Sequence, residues 1–134
     1  MSGKDVLKFR VKFYSQDGED SPVATYLIGL FSSNKKLGIK AFDKIKNLPA
    51  YFYSKRNIKH FRHGDFKCFE LRVRLGNNIC RLFFVIDGEK FIIFHGFTKK
   101  TQKTNNKDIE QGRKNLTDYS NNKIAIAIDS LYQN

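Results

Sequence analysis

Apolar and polar residues alternate in four stretches of the chain, and a period of two is typical of strands with one buried face. The first stretch runs from Leu7 to Tyr14, and the others run from Lys67 to Leu75, from Cys80 to Ile86 and from Lys90 to Phe97. On the second stretch Glu70, Arg72 and Arg74 fall on the polar side. We therefore predict four strands, the second of which has a charged, solvent-facing side.

Helical spacing of apolar residues appears in three other stretches. Ser21 and Pro22 supply a cap and a first-turn proline, and the apolar spacing after them predicts a helical hairpin over residues 21–48 that covers one face of the sheet. Asn105 and Asp108 resemble a capping box and predict a helix over about 106–119. The order β-α-α-β-β-β-α predicts an α+β fold with a small antiparallel sheet.

Two segments stay open at this point. The stretch from Tyr51 to Gly64 is aromatic and basic without a clean period, so it fits a loop or a short strand. The tail from Ile124 to Leu131 fits an extra strand by its alternation or a short helix by its alanines.

Two hairpin signals fix a predicted strand register. A two-residue turn at Asn77-Asn78 places Arg74 opposite Arg81 and Arg72 opposite Phe83. Opposed arginines repel, so we expect an anion between them, although two solvated surface arginines would fit the same pattern. A two-residue turn at Asp87-Gly88 places His95 on the core side with Leu82, whereas a three-residue turn would direct it toward Arg81. We favour the core side, where His95 would be a hydrogen-bonded core residue.

The net charge is strongly uneven along the chain. The 134 residues carry 25 Lys and Arg against 13 Asp and Glu, a net charge of +12, and residues 55–104 hold 12 basic and 4 acidic side chains, or +8. A concentrated basic patch is typical of proteins that bind a phosphate backbone. Membrane surfaces and acidic proteins remain possible partners on charge alone.

Length and composition predict one domain over residues 1–134. The longest apolar runs are too short to span a bilayer and the first residues do not resemble a signal peptide, so we expect a cytoplasmic protein without a membrane partner. Cys68 and Cys80 lack the clustered partners of a zinc site, and we expect both to be reduced and structural. The sequence contains no cluster of carboxylates that would suggest a metal site, and we expect no cofactor.

Three pieces of sequence carry a family resemblance: Phe69-Glu70-Leu71-Arg72, the strand from Asn78 to Phe84, and above all His95-Gly96-Phe97-Thr98-Lys99-Lys100-Thr101-Gln102-Lys103-Thr104. Over about residues 50–120 the chain resembles the HigB branch of the RelE/ParE toxin superfamily, in its phage-derived HigB-like form. Two departures stand out: Asn105 occupies a position where relatives commonly have proline, and a tail of about residues 120–134 extends past the usual end.

The resemblance implies a toxin of a type II toxin–antitoxin pair with a RelE-like fold. Such toxins are usually mRNA interferases, which are hydrolases that cut mRNA on the ribosome and so inhibit translation. The implied partners are the ribosome, mRNA and a helix-turn-helix, HigA-like antitoxin, with operator DNA contacted only through the antitoxin. The alternative is a ParE-like toxin that inhibits DNA gyrase by binding alone, and a third possibility is a basic nucleic-acid-binding module without toxicity.

Cleavage of RNA by its own 2′-hydroxyl needs cations that stabilise the charged phosphorane and groups that move two protons. Arg72 and Arg81 are the candidates for the scissile phosphate, and Lys99 or Lys100 for charge stabilisation or proton transfer. These four residues form the candidate catalytic set, without a metal. The expected RNA-binding set is basic: Lys59, His60, Arg62, Arg74 and Lys103.

Several other side chains fit more than one role. His60 and His63 could titrate against RNA or lie on a solvated loop. Glu70 could accept a proton, but an ion pair with Arg72 or Arg74 is the favoured interpretation. Phe83 is the one phenylalanine considered for stacking on a base, and Tyr119 is expected to pack in the core.

Overall fold

The structure is a computed structural model that describes residues 10–54, 57–100 and 103–128. Within these residues the chain forms four helices and six strands. The helices are α1 (Pro22–Ser33), α2 (Lys35–Lys46), α3 (Leu48–Ser54) and α4 (Asn106–Asn122). The strands are β1 (Arg10–Tyr14), β2 (Ile58–His63), β3 (Phe66–Leu75), β4 (Asn78–Asp87), β5 (Lys90–Lys99) and β6 (Ala125–Ala127). Leu7 and Phe9, the start of the first predicted strand, lie outside the described residues.

The predicted helical hairpin is confirmed as α1 and α2. The Ser21 side chain accepts hydrogen bonds from the backbone N–H groups of Val23 and Ala24, and Pro22 occupies the first turn. The Asn34 side chain then accepts from Leu37 N and begins α2 after a one-residue break. Caps of this kind satisfy N–H groups that have no partner inside the helix, which is why both helices begin where they do.

The sheet is mixed, so the prediction of a purely antiparallel sheet is wrong. Its strand order is β2-β3-β4-β5-β1-β6. Strand β1 runs parallel to β5, whereas the other pairs are antiparallel. The stretch from residue 51 to residue 64, which fits a loop or a strand by sequence, contains the end of α3 and all of β2. The tail forms the short strand β6, which pairs with β1.

The register of β3 against β4 differs by two residues from the prediction. The turn is formed by Gly76 and Asn77, because Leu75 pairs with Asn78. Gly76 has φ of 59°, which glycine adopts without steric cost. Arg72 is therefore opposite Arg81, and Arg74 is opposite Ile79. A shift of two keeps every side chain on its predicted face, so the two faces were predicted correctly.

A β-bulge separates the two halves of the β4–β5 pairing. The hairpin turn has two residues, Gly88 and Glu89, yet the register shifts between Phe83, which pairs with His95, and Phe84, which pairs with Ile93. The extra residue is Phe94. His95 consequently lies on the face of Phe83 and Arg81, and its expected position beside Leu82 is wrong.

Hydrophobic clusters cover both faces of the sheet. On one face α1 and α2 pack against Leu71, Leu82, Phe84 and their neighbours. On the other face α4 contributes Ile109 and Tyr119 to a cluster with Phe83, Phe94 and Phe97. The alternation predicts that the charged face of β3 is exposed to solvent. In the structure this face is partly covered by α4 and its hydrophobic cluster.

Close packing on the helical-hairpin side explains one glycine. A Cβ atom at Gly96 would lie 2.7 Å from Tyr26 Cδ2 and 2.9 Å from Leu82 Cδ2. The Tyr26 hydroxyl also lies 2.5 Å from Thr98 Oγ1, which ties α1 to the end of β5. These contacts hold the strand end that leads into the lysine-rich segment.

Candidate functional site

Three charged side chains form a compact group on the face of β3 and β4 that is turned toward α4. Arg72 Nε donates to Glu70 Oε1 at 2.6 Å, and Arg81 Nε lies 3.6 Å from Glu70 Oε2. Glu70 is 1% exposed and the Arg72 side chain is 23% exposed. The carboxylate thus offsets the repulsion between the two directly opposed arginines. The expected ion pair of Glu70 with Arg72 is confirmed.

Arg81 is buried, which corrects the expectation of a solvated arginine. Its side chain is fully buried and its Nη1 donates to Thr104 Oγ1 at 2.8 Å. Burial lowers the pKa of Arg81, Glu70 raises it, and the charges of Arg72 and Arg74 lower it further. In this conformation Arg81 fixes Thr104 and Glu70, and a phosphate could reach it only after the Thr104 segment had moved.

An open groove lies beside Arg81, where β5 leads toward α4. It has a volume of about 400 Å³ and is lined by Lys99, Lys103, Thr104, Asn105 and Asn106. Asn105 is the cap of α4, and its side chain accepts from Asp108 N at 2.9 Å. The groove therefore combines two lysines with a helix N-terminus, both of which favour an anion. Lys100 is exposed beside it, and Thr101 and Gln102 lie outside the described residues.

His95 connects this face of the sheet to α4. Its Nε2 lies 3.0 Å from Asp108 Oδ1, and its ring stacks on Phe97 with 5.3 Å between centroids. Burial lowers the pKa of His95, and Asp108 opposes that shift without cancelling it. A lowered pKa favours the neutral ring, in which Nε2–H can donate to the carboxylate of Asp108.

The bulge that turns His95 toward α4 is held by a buried amide. Asn115 Nδ2 donates to Phe94 O at 2.7 Å, and Asn115 Oδ1 accepts from Gln111 Nε2 at 3.0 Å. A bulge interrupts the ladder of strand hydrogen bonds, so its backbone needs partners from elsewhere. Here one of them comes from the helix that also covers the arginine face.

The residues expected to bind RNA fall on two different faces. Lys59 is opposite Glu70 and Arg74 is opposite Ile79, so both share the face of Arg72, and Lys103 lines the groove. His60 and Arg62 are opposite Phe69 and Lys67, on the other face of the sheet. The His60 ring packs beside Phe69 with 4.9 Å between centroids. Lys59, Arg72, Arg74 and Lys99 therefore share one face of the sheet, and Lys103 lines the groove with Lys99, whereas His60 and Arg62 lie on the other face.

Two aromatic residues and two cysteines are buried. Phe83 is fully buried among other phenylalanines, so the suggestion that it stacks on a base is wrong. Tyr119 is 3% exposed and donates to Asp87 Oδ2 at 2.7 Å, in agreement with a packing role. Cys68 and Cys80 are free and buried, and burial raises the pKa of Cys80 to about 12. Both cysteines are therefore structural, as expected.

Sequence reasoning missed three residues that shape the site: Thr104, Asp108 and Asn115. Asp108 was noticed only as part of a cap, and its contact with His95 depends on the bulge. Asn115 sits among polar positions of α4 with no local signal for a buried role. In the part of the chain that the structure describes, no three His, Cys, Asp or Glu side chains group as metal ligands, and no helix is long and apolar enough to cross a membrane.

Comparison with known proteins identifies the family of the chain. The family model of phage-derived Gp49-like proteins (DUF891) matches residues 29–117, about two-thirds of the chain. No curated protein and no solved structure matches the chain. The matched segment includes β3, β4, β5 and most of α4, which carry the arginine pair and the groove. The chain therefore belongs to the phage-derived Gp49-like family, which is part of the RelE/HigB-type toxin group, and it is a toxin of a toxin–antitoxin system with an antitoxin as its partner.

Proposed function

We propose that this toxin is a ribosome-dependent mRNA endoribonuclease of the HigB type, which inhibits translation by cutting mRNA. The observation that carries the proposal is that Lys99 and Lys103 line one groove at the start of α4. Arg72 lies on the same face of the sheet, opposite Arg81, and Arg81 contacts Thr104 in the groove wall. A toxin that acted by binding alone would not need cations to converge on one small groove. RNA supplies a phosphate at every nucleotide, which matches that arrangement.

Phosphate binding would rest on Arg72 and the two groove lysines. Glu70 holds Arg72 through its Nε, so the guanidinium starts from a fixed position and loses less entropy when it binds. Lys99 and Lys103 line the groove at the positive end of the 17-residue helix α4. Arg81 would hold the groove in shape, because its Nη1 donates to the Thr104 side chain in the groove wall.

In the proposed reaction the 2′-hydroxyl of the RNA gives its proton to a water molecule, and the 2′-oxygen attacks the adjacent phosphorus while the bond from phosphorus to the 5′-oxygen breaks. The products are a 2′,3′-cyclic phosphate and a free 5′-hydroxyl. Arg72 and Lys99 stabilise the negative charge that grows on the phosphate oxygens. Lys99 or Lys100 protonates the leaving oxygen, and no metal or cofactor takes part in the scheme.

The expected partners follow from this activity. Translating ribosomes present the mRNA, and a helix-turn-helix antitoxin of the HigA type neutralises the toxin and contacts operator DNA on its behalf. The site of action is then the cytoplasm. The whole chain acts as one toxin domain, with the tail after about residue 120 extending it.

The test is mRNA cleavage in a purified translation system that contains one defined message. We expect new 5′ ends that depend on translation, with a cyclic phosphate on the upstream fragment. Arg72→Ala should slow cleavage by about 10²-fold, the usual cost of losing one group that stabilises transition-state charge. Lys36→Ala is the matched control, since this exposed lysine lies on α2, on the other side of the sheet.

Circular dichroism would show whether Arg72→Ala keeps its fold. Intact mRNA in the presence of active toxin would overturn the proposal, and inhibition of DNA supercoiling by gyrase in the same preparation would assign the ParE-like activity instead. Equal cleavage rates for Arg72→Ala and the unmodified protein would remove Arg72 from the site.

A further inference from the structure

Two neighbouring residues in the groove wall, Thr104 and Asn105, have side-chain oxygens that already accept hydrogen bonds from the protein. Thr104 Oγ1 accepts from Arg81 Nη1 at 2.8 Å, and Asn105 Oδ1 accepts from Asp108 N at 2.9 Å. The hydroxyl of a threonine and the amide nitrogen of an asparagine also carry hydrogens that can be donated. Among the described residues these hydrogens have no acceptor, and both side chains line the groove, so they can donate to a ligand there.

The hydrogen bond from Arg81 strengthens the Thr104 hydroxyl as a donor. Arg81 is fully buried, and its charged guanidinium donates directly to Thr104 Oγ1. A hydroxyl that accepts a hydrogen bond from a cation is polarised, so its own hydrogen is donated more strongly. Thr104 therefore carries the influence of a buried positive charge to the wall of the groove, although the guanidinium itself is not exposed there.

The charges in the groove have one sign. Lys99 and Lys103 line it, and none of the described lining residues is acidic. Asp108, the acidic residue in the first turn of α4, contacts His95 instead, with 3.0 Å between Oδ1 and Nε2. A ligand that complements this groove is therefore negatively charged and accepts several hydrogen bonds.

One chemical group of RNA meets both conditions better than the others. The two non-bridging oxygens of a phosphodiester share a negative charge and accept hydrogen bonds, and the group has no hydrogen to donate. The edge of a base is uncharged and carries donors as well as acceptors. The donors of Thr104 and Asn105, placed in one groove with two lysines, thus favour a phosphodiester over a base.

We propose that Thr104 and Asn105 bind a phosphodiester group of single-stranded RNA in the groove. The Thr104 hydroxyl and the Asn105 side-chain amide donate to its non-bridging oxygens, and Lys99 and Lys103 balance its charge. Arg81 acts from the interior through Thr104 and does not contact the RNA. This inference rests on the proposed function, because it identifies two further RNA-binding residues of the same site.

Binding of a fluorescently labelled oligouridine to the purified toxin, without ribosomes, tests the Thr104 hydroxyl. Thr104→Val keeps the shape of the side chain and removes the hydroxyl, so we expect it to weaken binding by about tenfold or more, the usual effect of losing a hydrogen bond to a charged group. Thr104→Ser keeps the hydroxyl and should bind like the unmodified protein. Thr117→Val is the matched control, because Thr117 is exposed on α4 and does not line the groove.

Asn105→Asp separates binding of RNA from capping of α4. Aspartate caps a helix as well as asparagine does, so the variant should unfold at the same temperature as the unmodified protein or at a higher one. Its affinity for oligouridine should nevertheless fall by about tenfold or more, because an anion replaces the amide donor. Asn34→Asp is the matched control: it makes the same change of charge at the cap of α2, on the other side of the sheet, and should leave binding unchanged.

Three results would overturn the proposal. The first is an affinity of Thr104→Val or Asn105→Asp equal to that of the unmodified protein, and the second is no binding of oligouridine by the unmodified protein. The third is binding of inorganic phosphate that Thr104→Val abolishes while oligouridine still binds, which would assign the groove to a free anion. If Thr104→Val does not fold because Arg81 has lost its acceptor, Asn105→Asp decides the proposal alone.

The same measurement is independent of the proposed cleavage. Oligouridine binding needs neither the ribosome nor the chemical step, so a toxin that leaves mRNA intact can still show the expected losses in Thr104→Val and Asn105→Asp. That combination would contradict the proposed endoribonuclease activity and support the phosphodiester site. Cleavage of mRNA with unchanged oligouridine binding in both variants would do the reverse.

Discussion

The buried Glu70 carboxylate allows two arginines to lie side by side on one face of the sheet. It contacts Arg72 and Arg81, which are directly opposed on neighbouring strands. Buried ion pairs contribute little net stability relative to apolar packing, but removing one partner leaves a buried charge uncompensated. Glu70 therefore matters most for keeping two like charges side by side.

Replacing Glu70 tests this role. Glu70→Ala should lower the free energy of unfolding by about 3–5 kcal/mol, because Arg81 would keep its charge without the carboxylate. Glu70→Gln should cost less, since its amide oxygen can still accept from Arg72 Nε. Glu110→Ala is the matched control: Glu110 also pairs with an arginine, Arg113, but is 60% exposed, and its loss should cost no more than about 0.5 kcal/mol. Urea unfolding of the three variants measures the difference, and equal effects would contradict the role of Glu70.

The buried His95 predicts that the stability of the protein depends on pH. Its folded pKa lies below the ordinary value of 6.5 because of burial, so folding favours the neutral ring. Below about pH 6.5 the unfolded chain therefore binds more protons than the folded chain, and the free energy of unfolding should fall as the pH drops. Three carboxylates have pKa values lowered below the ordinary 3.8: Asp17, Asp65 and Asp87. Their effect on stability therefore belongs to more acidic pH than the effect of His95.

The measurement for His95 is the free energy of unfolding at pH 7.5 and pH 5.5. His95→Gln keeps a donor for Asp108 but cannot titrate, so the decrease between the two pH values should be smaller than in the unmodified protein. His63→Gln removes an exposed histidine and should leave the decrease unchanged. A decrease of the same size in His95→Gln would show that His95 is not its source.

Among the secondary-structure elements, α4 connects most of the sheet. Arg113 donates to Asp65 in the β2–β3 turn, Asn115 to the bulge in β5, and Tyr119 to Asp87 at the end of β4. Tyr14 of β1 donates to Asp118 at 2.6 Å, and burial, with a further contribution from this hydrogen bond, raises the pKa of Tyr14 to about 12. These contacts place the N-terminus of α4, and hence the groove, relative to β3 and β4.

The bulge contact allows a test of that coupling. Asn115→Ala should cost about 1–3 kcal/mol, because Phe94 O would be left buried without this donor. Amide exchange in α4 and at His95 should accelerate more than exchange in α1 and α2. Thr117→Ala, an exposed change on the same helix, is the control. Uniform acceleration across the whole chain would show that α4 is not a separate unit.

The sequence predicted elements and faces better than it predicted their pairing. Period-two alternation located β3, β4 and β5, because each residue's face depends only on its neighbours along the strand. The turn at Gly76 and Asn77 competed with an equally plausible signal one residue later, so the register was missed. The bulge at Phe94 and the parallel pairing of β1 with β5 depend on distant parts of the chain, and local patterns do not record them.

The candidate site was predicted in its residue types but not in its burial. Charge and motif identify Arg72, Lys99 and Lys103 as candidates; the two lysines line one groove, and Arg72 lies on the same face of the sheet. Arg81 was expected on a solvated surface, and it is buried because α4 and Thr104 cover it. Whether a charged strand position is exposed is set by elements that pack on it later in the chain, and alternation alone cannot indicate that.

For the molecule as a whole, the sheet separates the basic residues of the +8 segment into two groups. Arg72, Arg74 and the groove lysines share one side, whereas Arg62 lies on the other face of the sheet. If the first side alone binds RNA, the logarithm of the binding constant should fall with the logarithm of salt concentration with a slope of about −2 to −4, since each contacted phosphate of a single strand contributes about 0.7.

Single substitutions separate the two groups in that measurement. Lys103→Ala removes a groove cation and should make the slope shallower by about 0.7, which is the release of the counterions of one phosphate. Arg62→Ala removes the same charge from the chain but not from the binding side, so its slope should match that of the unmodified protein. Net charge alone would make the two variants equivalent. Equal slopes for Lys103→Ala and Arg62→Ala would therefore show that RNA binding depends on the net charge of the protein. The groove would then not be the RNA-binding site.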